Sequence, residues 1–380
     1  MKDQETEFSA AQTPSPLPWY ARPAARTWTC TPPPPDARAF HTALPGYAPT
    51  ALYALPGLAR ELAVGRVFVK DESTRFGLPA FKALGASWAI DRILANGTRG
   101  TTGTPIRRFV TATDGNHGRA VARMARRLGR RAHVFVPDGV HPTAVAAIEG
   151  EGAEVTTVAG SYDAAVSEAW AAAAAPDAVL VQDMAWDGYE EIPALVVEGY
   201  ATLFAEVDAQ LDAAGAQSPA LVAVPVGVGS LAQAAVTHYR SGRGAEASPG
   251  AAPPAVLSVE PVGAACVLAS LRAGRLAQVP TDVTVMAGLN CGTPSALAWP
   301  VLREGLDAAV AVTDADSTSA ARDLAELGVS SGPCGAASLA GVRAALTGTG
   351  STERRAALGV HPDAIIILIN TEGADANPGR

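Results

Sequence analysis

The sequence predicts an α/β protein built on open parallel sheets, and its length suits two domains or one large one. Short apolar, β-branched runs alternate with longer amphipathic segments over most of the chain, and this alternation is typical of βαβ units. The runs are hydrophobic at nearly every position, as expected of parallel strands that are covered on both faces. With 48% hydrophobic and 17% charged residues among 380, the chain has the apolar surface that a large core requires.

The order of the predicted elements follows from this periodicity. Residues 1–48 are rich in proline and are expected to form a disordered start and then an extended arm over the surface. The segments 96–105 and 242–254, rich in Gly, Ser, Ala and Pro, are candidate linkers or surface insertions. Strands are predicted at 66–70, 108–113, 133–136, 154–158, 179–182, 221–226, 256–260 and 364–369, and helices at 80–94, 116–128, 141–150, 161–175, 188–214, 229–241, 264–273, 316–327 and 334–346.

Composition excludes several classes of function. The net charge of -8 argues against a nucleic-acid-binding protein. The cysteines form no CxxC and the histidines no HExxH, so no metal site is expected, and Cys266 and Cys291 are interpreted as separate thiols. The acidic start lacks the apolar core of a signal peptide, and no run reaches the roughly 18 apolar residues of a membrane span. A soluble cytoplasmic protein is therefore expected.

Lys82 is expected in the first turn of the helix that begins near Ala80, after a strand and a polar loop. Leu78, Phe81 and Leu84 would surround it with apolar groups. Partial burial at the positive end of a helix dipole disfavours the charged form of a lysine, and a neutral amine is the nucleophile that forms Schiff bases. The alternative is that Lys82 extends into solvent, as most lysines do.

A first loop at a strand end, Thr113–Gly118, contains two glycines that expose backbone amides at a helix start. Such amides bind a carboxylate or a phosphate. Asp114 adds a carboxylate to this loop and Asn116 adds an amide. The alternative is a turn that caps the following helix.

A second loop, Gln182–Glu190, begins with Asp183 at the end of an apolar strand, with Trp186 three residues later. A carboxylate against aromatic and apolar walls has a raised pKa, in a range that is useful for acid–base chemistry. The alternative is a cluster that caps the next helix, a role that Asp187 is able to fill by itself.

A third loop, Val226–Leu231, combines two glycines and Ser230 at the start of a helix. Backbone amides, a hydroxyl and a helix dipole together form a phosphate site. The GK[ST] of a P-loop and the third glycine of the dinucleotide fingerprint are missing, so one phosphate monoester fits better than a nucleotide.

A fourth loop, Ile369–Asp375, follows a very apolar strand. A polar side chain at the end of a buried strand requires a partner, and Asn370 or Thr371 would suit the ring nitrogen of a ligand. The alternative is a plain C-terminal turn.

Lys82 and the four loops together supply an amine, a phosphate site, and groups for a ring hydroxyl and a ring nitrogen. This set matches pyridoxal 5'-phosphate, whose aldehyde requires a lysine and whose phosphate requires a glycine-containing loop.

At this point the chain resembles the fold-type II pyridoxal-phosphate enzymes, the group of threonine dehydratase and the tryptophan synthase β-subunit, and within it the diaminopropionate ammonia-lyases. The matching stretches run in the family's order from about residue 66 to the C-terminus. They are KDESTRFGLPAFKALGAS, TATDGNHGRAVA, QDMAWDGYEEIP, VGVGSLAQA, SVEP, TVMAGLNCGTPSALAW, SSGPCGAASLAGV and INTEGADANP.

The resemblance implies roles for individual residues. Lys82 would bind the cofactor as a Schiff base, Asn116 would contact the ring hydroxyl, and Asp114 and Asp183 match acidic residues that the family uses at its substrate. Cys266 and Cys291 fall where the family can carry a cysteine pair. The cofactor phosphate would be held by Gly227, Val228, Gly229, Ser230 and Leu231.

The chain departs from the family pattern around the expected cavity. Asn370 replaces a serine ahead of TEG, Thr293 replaces an acidic residue of CGEP, and Ser331–Ala336 reads SGPCGA where the family reads SGESGA. These changes leave the substrate open.

The expected function is β-elimination of an amino acid, 2,3-diaminopropionate in the first place, through aminoacrylate to pyruvate and ammonia. The alternatives are a β-replacement synthase, a serine or threonine dehydratase on the same scaffold, and a cofactor-binding protein without catalysis. The expected organisation is an arm at 1–48, a large cofactor-binding domain at 49–92 and 210–380, and a small domain at 93–209. The resemblance also implies a homodimer.

Overall fold

The computed structural model describes residues 17–33, 36–97, 103–113, 115–241 and 252–376. Its larger sheet has seven strands in the order β1-β10-β9-β8-β11-β3-β2. The inner five are parallel, and the two edge strands β1 and β2 run antiparallel to their neighbours. These strands are β1 (Trp19–Ala21), β2 (Leu52–Ala54), β3 (Arg66–Asp71), β8 (Leu221–Pro225), β9 (Ala255–Pro261), β10 (Ala308–Val312) and β11 (Ile365–Asn370).

The smaller sheet has four parallel strands in the order β6-β5-β4-β7. They are β4 (Arg108–Ala112), β5 (Arg131–Pro137), β6 (Glu154–Val158) and β7 (Ala178–Leu180). All four lie within the span 93–209, which the sequence assigns to a small domain. The division of the chain into an arm and two domains stays a proposal.

Helices cover the sheets on both sides. Strands β8 to β11 are buried along their whole length, which explains why their sequences are apolar at nearly every position. The helices are α1 (Asp36–Ala43), α2 (Pro56–Glu61), α3 (Lys82–Ala95), α4 (Asn116–Arg127), α5 (Pro142–Glu149), α6 (Tyr162–Ala173), α7 (Glu191–Ala213), α8 (Ser230–Arg240), α9 (Cys266–Ala273), α10 (Ala298–Gly305), α11 (Asp314–Glu326), α12 (Pro333–Leu346) and α13 (Ser351–Leu358).

Every strand and helix that the sequence predicts is present, with ends that differ by a few residues. The predicted extended arm is only partly correct, because its described part contains β1, a short 3-10 helix at Pro23–Thr27 and α1. The sequence also misses β2, β10, α2, α10 and α13. Residues 98–102 of the predicted linker at 96–105, and 242–251 of that at 242–254, lie outside the described residues.

Helices α3 and α7 pack with their backbones in contact where a glycine of each helix meets the other. A Cβ atom on Gly199 would lie 2.6 Å from the carbonyl oxygen of Leu84, and one on Gly85 would lie 2.6 Å from a methyl group of Val196. Any side chain at either glycine would push the helices apart. This close approach fixes α7 against the first turns of α3, where Lys82 lies.

A buried cluster of charges fixes the loop between β3 and α3. Lys70 and Arg75 both pair with Glu206 of α7, at 2.6 and 2.7 Å, and Arg75 also pairs with Glu72 at 2.7 Å. All four side chains are at most 1% exposed. Two cations and two anions compensate one another, so the cluster ties this loop to α7 without a net buried charge.

Within the described ranges, no helix combines the length and the hydrophobicity that crossing a membrane requires.

Candidate active site

The loops after the strands of both sheets surround one cavity of about 790 Å³. It lies at the carboxyl ends of parallel strands, where open α/β sheets form their binding sites. Lys82 and Asp183 line it, together with the five residues Gly227, Val228, Gly229, Ser230 and Leu231, and with Asn116 and Thr371. The structure therefore brings together the described residues that the sequence selects, with the exception of Asn370.

Lys82 is the first residue of α3, as predicted, and its side chain is 23% exposed. Its Nζ atom lies 2.5 Å from Oδ2 of Asp183, and 5.2 Å from the centre of the Phe81 ring. The amine faces the cavity instead of extending into bulk solvent, so the alternative of a solvent-exposed lysine is wrong.

The expectation of a raised pKa for Asp183 is wrong. Burial raises the pKa of this carboxyl, but the charge of the Lys82 ammonium and its hydrogen bond to the carboxylate outweigh burial, and the net pKa lies well below the ordinary value. Trp186 does not pack against the carboxylate as expected, because its ring stacks on that of Tyr189, with 4.6 Å between the ring centres. Asp183 is therefore ionised and able to pair with a cation in the cavity.

His117 lies behind Asp183. Its Nε2 atom is 2.8 Å from the carbonyl oxygen of Val181, and its Nδ1 atom is 3.8 Å from Oδ2 of Asp183. Burial lowers the pKa of His117, so the ring is neutral and Nε2–H donates to Val181. No relay of hydrogen bonds reaches the cavity through this ring among the described residues, because Nδ1 has no partner there.

The loop 226–231 forms the turn that a phosphate requires. Gly229 has a φ of +99°, and a Cβ atom there would lie 2.7 Å from Leu302, so both backbone conformation and space demand glycine. Helix α8 begins at Ser230 and directs its free backbone amides at the cavity. The Ser230 hydroxyl donates to the carbonyl oxygen of Asp183 at 3.0 Å and so joins this loop to the acidic loop.

Asn116 begins α4, and its amide donates to Glu372 Oε2 at 2.7 Å. The Glu372 carboxylate is buried and also accepts the backbone N–H of Cys334 at 3.3 Å. Glu372 is not among the residues predicted from the sequence, although it lies in the TEG stretch that carries the resemblance. Both Glu372 and Cys334 line the cavity.

Asn370 is fully buried, and its side chain bonds away from the cavity. Its amide donates to Asp71 Oδ1 and to the carbonyl oxygen of Ser330, both at 2.8 Å, and its oxygen accepts from the Ser331 hydroxyl at 2.7 Å. Thr371, the next residue, does line the cavity. Of the two residues predicted for a ring nitrogen, Thr371 is the one in position to contact a ligand.

Two further predictions concern residues near the cavity. Asp114 lies outside the described residues. Cys266 and Cys291 are both thiols in the structure and both approach Gly227: Cys266 Sγ lies 3.6 Å from its carbonyl oxygen, and Cys291 Sγ lies 3.0 Å from the place of a Cβ atom there. Among the described residues, no cluster of His, Cys, Asp and Glu is arranged to hold a metal ion.

The residues of this cavity fit pyridoxal phosphate. A partly buried amine for the aldehyde, a glycine turn at a helix start for the phosphate, and polar groups of Asn116 and Thr371 for the ring edge all face the same space. The cavity also holds two buried carboxylates, Asp183 and Glu372, which suits a substrate that carries a positive charge.

Comparison with known proteins agrees with this fit. Residues 43–363 match the family described as pyridoxal-phosphate dependent enzyme. The diaminopropionate ammonia-lyase of Salmonella typhimurium is 37% identical over 297 residues, which cover 73% of this chain and 72% of that protein. The Escherichia coli enzyme of the same name is 34% identical over 355 residues, which cover 89% of this chain and 87% of that protein.

Solved structures agree with the sequence relatives. The crystal structure of the E. coli diaminopropionate ammonia lyase in complex with an aminoacrylate-PLP azomethine reaction intermediate superposes with a TM-score of 0.81. It is 32% identical, and the match covers 95% of each chain. The family match, the relatives and the shared fold lead to one conclusion: this chain belongs to the fold-type II family of pyridoxal-phosphate dependent enzymes.

Proposed function

We propose that the protein is a pyridoxal-phosphate dependent ammonia-lyase that acts on 2,3-diaminopropionate. The observation that carries the proposal is the Lys82–Asp183 ion pair, 2.5 Å long, in a cavity that also contains the phosphate loop. The net reaction breaks the bond between Cβ and the distal nitrogen and releases aminoacrylate, which water converts to pyruvate and a second ammonia. The relatives named diaminopropionate ammonia-lyase support this choice of substrate.

The cofactor supplies one property, the withdrawal of electrons from the α-carbon of the bound amino acid. We propose that the loop Gly227–Leu231 holds its phosphate and that Lys82 holds its aldehyde carbon. Asn116 contacts the ring hydroxyl, and Thr371 rather than Asn370 is the group for the ring nitrogen. Asn370 acts indirectly, through its hydrogen bonds with Ser331 and Asp71.

Once the substrate has taken the place of Lys82 on the cofactor, the proposed role of the Lys82 Nζ atom is to accept the proton of the substrate's α-carbon. For the opposite enantiomer, we propose that Asp114 removes this proton. Asp183 binds the distal ammonium of the substrate in place of the Lys82 ammonium. Because its pKa is held low in the free protein, Asp183 is ionised at neutral pH and favours a cationic side chain over a hydroxyl.

A panel of amino acids tests the proposal against its alternatives. The enzyme is incubated with both enantiomers of 2,3-diaminopropionate and with serine and threonine, and pyruvate, 2-oxobutanoate and ammonia are measured. We expect pyruvate from diaminopropionate at the highest kcat/KM, with two ammonia molecules for each pyruvate. Faster turnover of serine or threonine would instead identify a dehydratase.

The remaining alternatives give other results in the same panel. A β-replacement synthase would release no oxo acid until a nucleophile is added. A non-catalytic cofactor-binding protein would release none under any condition and would only exchange the α-hydrogen slowly in heavy water. Either result would overturn the proposed elimination.

We also propose that the enzyme is a cytoplasmic homodimer. Family resemblance supports the dimer. Light scattering on the purified protein and fractionation of the source cells test the two statements.

A further inference from the structure

Tyr200 is a fully buried tyrosine of α7 that lies behind Lys82. The glycine contact between α3 and α7 brings it there, because a Cβ atom on Gly85 would lie 2.7 Å from Cε1 of the Tyr200 ring. On its other side the ring packs against Phe81, with 4.8 Å between ring centres. The phenol therefore contacts the residue before Lys82 and the residue one turn after it.

Among the described residues, no group lies within close hydrogen-bond distance of the Tyr200 hydroxyl, and Lys82 is the side chain whose ammonium approaches it. A buried hydroxyl without a close partner costs free energy that a phenylalanine in the same place would avoid. Packing alone therefore favours phenylalanine at this position. The neutral hydroxyl lies near the Lys82 amine: burial raises the pKa of Tyr200, and the charge of Lys82 and its hydrogen bond with the phenol oppose that rise.

The groups that face Lys82 come from several elements. Asp183 lies 2.5 Å from Nζ, and His117 stands behind Asp183. Tyr200 approaches from α7, and the carboxylate of Glu372 lines the cavity elsewhere, bound to Asn116. If Asp183 pairs with a cationic substrate instead of Lys82, the Tyr200 hydroxyl is the polar group that remains beside the Lys82 amine on its buried side.

We propose that Tyr200 is a positioning residue for Lys82, whose hydroxyl oxygen accepts a hydrogen bond from the Lys82 ammonium when Asp183 pairs with the substrate. After Lys82 has accepted the proton of the α-carbon, the Tyr200 hydroxyl stabilises the resulting ammonium. The same hydrogen bond holds Nζ at the N-terminus of α3. This use of Asp183 rests on the proposed function. The effect of Tyr200 on the Lys82 amine does not.

The test compares Tyr200→Phe with Tyr239→Phe. Both substitutions keep the ring and remove a buried hydroxyl that has no close hydrogen-bond partner in the described structure, and Tyr239 is located in α8, where Asp208 and not Lys82 influences its pKa. The full chain without cofactor is methylated with formaldehyde and cyanoborohydride over a range of pH, and mass spectrometry follows the Lys82 peptide. The pH at half-maximal labelling reports when the amine becomes neutral.

Tyr200→Phe is expected to lower this midpoint by about one pH unit, because the ammonium loses a hydrogen-bond acceptor. The decrease should be larger in an Asp183→Asn background, where Tyr200 is the nearer remaining acceptor, and Tyr239→Phe should leave the midpoint unchanged. A midpoint that Tyr200→Phe leaves unchanged or raises in both backgrounds overturns the proposal. No substrate is used, so this result is independent of the proposed elimination.

Holoenzyme measurements separate positioning from packing. Tyr200→Phe should unfold at the same or a higher denaturant concentration than the unmodified protein, as Tyr239→Phe should, because each removes a buried hydroxyl without a close partner. Its kcat should fall about 10-fold with KM unchanged, whereas Tyr239→Phe should keep kcat. If Tyr200→Phe loses stability that Tyr239→Phe keeps, the hydroxyl is structural and the proposal fails.

Discussion

Lys82 and Asp183, from two different strand-end loops, meet with 2.5 Å between Nζ and Oδ2. Lys82 begins α3, and Asp183 follows β7 of the smaller sheet. The pair therefore joins the two sheets at the cavity, and it places the amine proposed to bind the cofactor beside the anion proposed to bind the substrate.

Replacement of that anion tests its proposed role. Asp183→Asn should lower kcat/KM for diaminopropionate by about 100-fold or more, because the distal ammonium loses its buried counter-ion. Cofactor content should remain close to that of the unmodified protein. Asp187→Asn, at an exposed carboxylate of the same loop, is the control and should keep activity, and equal activity of the two variants would contradict the assignment.

The glycine turn at 227–229 offers a test of the phosphate site. Gly229→Ala places a methyl group 2.7 Å from Leu302 at a φ of +99°, which should distort the turn and weaken pyridoxal-phosphate binding about 10-fold or more. Gly188→Ala has a comparable φ of +82° but no atom within 4 Å of the added methyl group. Gly188→Ala should keep its affinity for the cofactor. Titration of the cofactor-free protein measures this affinity, and an unchanged value for Gly229→Ala would rule out this turn as the phosphate site.

The sequence predicted the buried architecture well and the edges poorly. Strands such as β11 are apolar along their length, so their pattern is unambiguous. Strands β1 and β2 have three residues each and lie at sheet edges, too short for a periodicity to emerge. The five residues of β10, AAVAV, are rich in alanine, which favours helices, and neighbouring strands override that preference.

The site was predictable where its residues belong to local motifs. Lys82 and Gly229 lie in strand-to-helix turns, which composition reveals. The pKa of Asp183 and the position of Tyr200 were not predictable in this way, because both depend on contacts between segments that are distant in sequence. Asn370 follows a buried strand as expected, but its partners Asp71 and Ser331 come from other loops and draw it away from the cavity.

Glu206 should be essential for stability although it lies outside the cavity. Glu206→Gln leaves Lys70 and Arg75 buried with one anion in place of two, and we expect a loss of about 3 to 5 kcal/mol in the free energy of unfolding. Glu304→Gln removes a pair with Arg22 whose side chains are 34% and 35% exposed, and it should cost about 1 kcal/mol or less. Chemical denaturation measures both, and equal losses would show that the buried cluster has no special weight.

His41 should make stability depend on pH. Burial lowers its pKa from 6.5 to about 4 in the folded protein, while its Nε2–H donates to Leu84 and its Nδ1 accepts from Thr202. As the pH falls from 6.5 to 4, the unfolded chain gains a proton that the folded chain does not, so this group lowers stability by up to about 3 kcal/mol.

The variant His41→Gln isolates this contribution from that of the carboxylates. Denaturation is measured for the two proteins between pH 7 and pH 4, a range that spans roughly both pKa values of histidine. Their free energies of unfolding should converge as the pH falls, because only the unmodified protein loses the stabilisation that neutral His41 provides. Parallel curves would show that His41 titrates in the folded state as it does in the unfolded one.

The central claim is that the amine of Lys82 carries the cofactor, and borohydride reduction of the holoenzyme tests it most directly. Reduction makes the linkage between lysine and cofactor permanent, and mass spectrometry of a digest identifies the modified residue. The account predicts a pyridoxal-phosphate adduct on the peptide that contains Lys82 and its loss in Lys82→Ala. An adduct on another lysine, or none in a protein with bound cofactor, would contradict it.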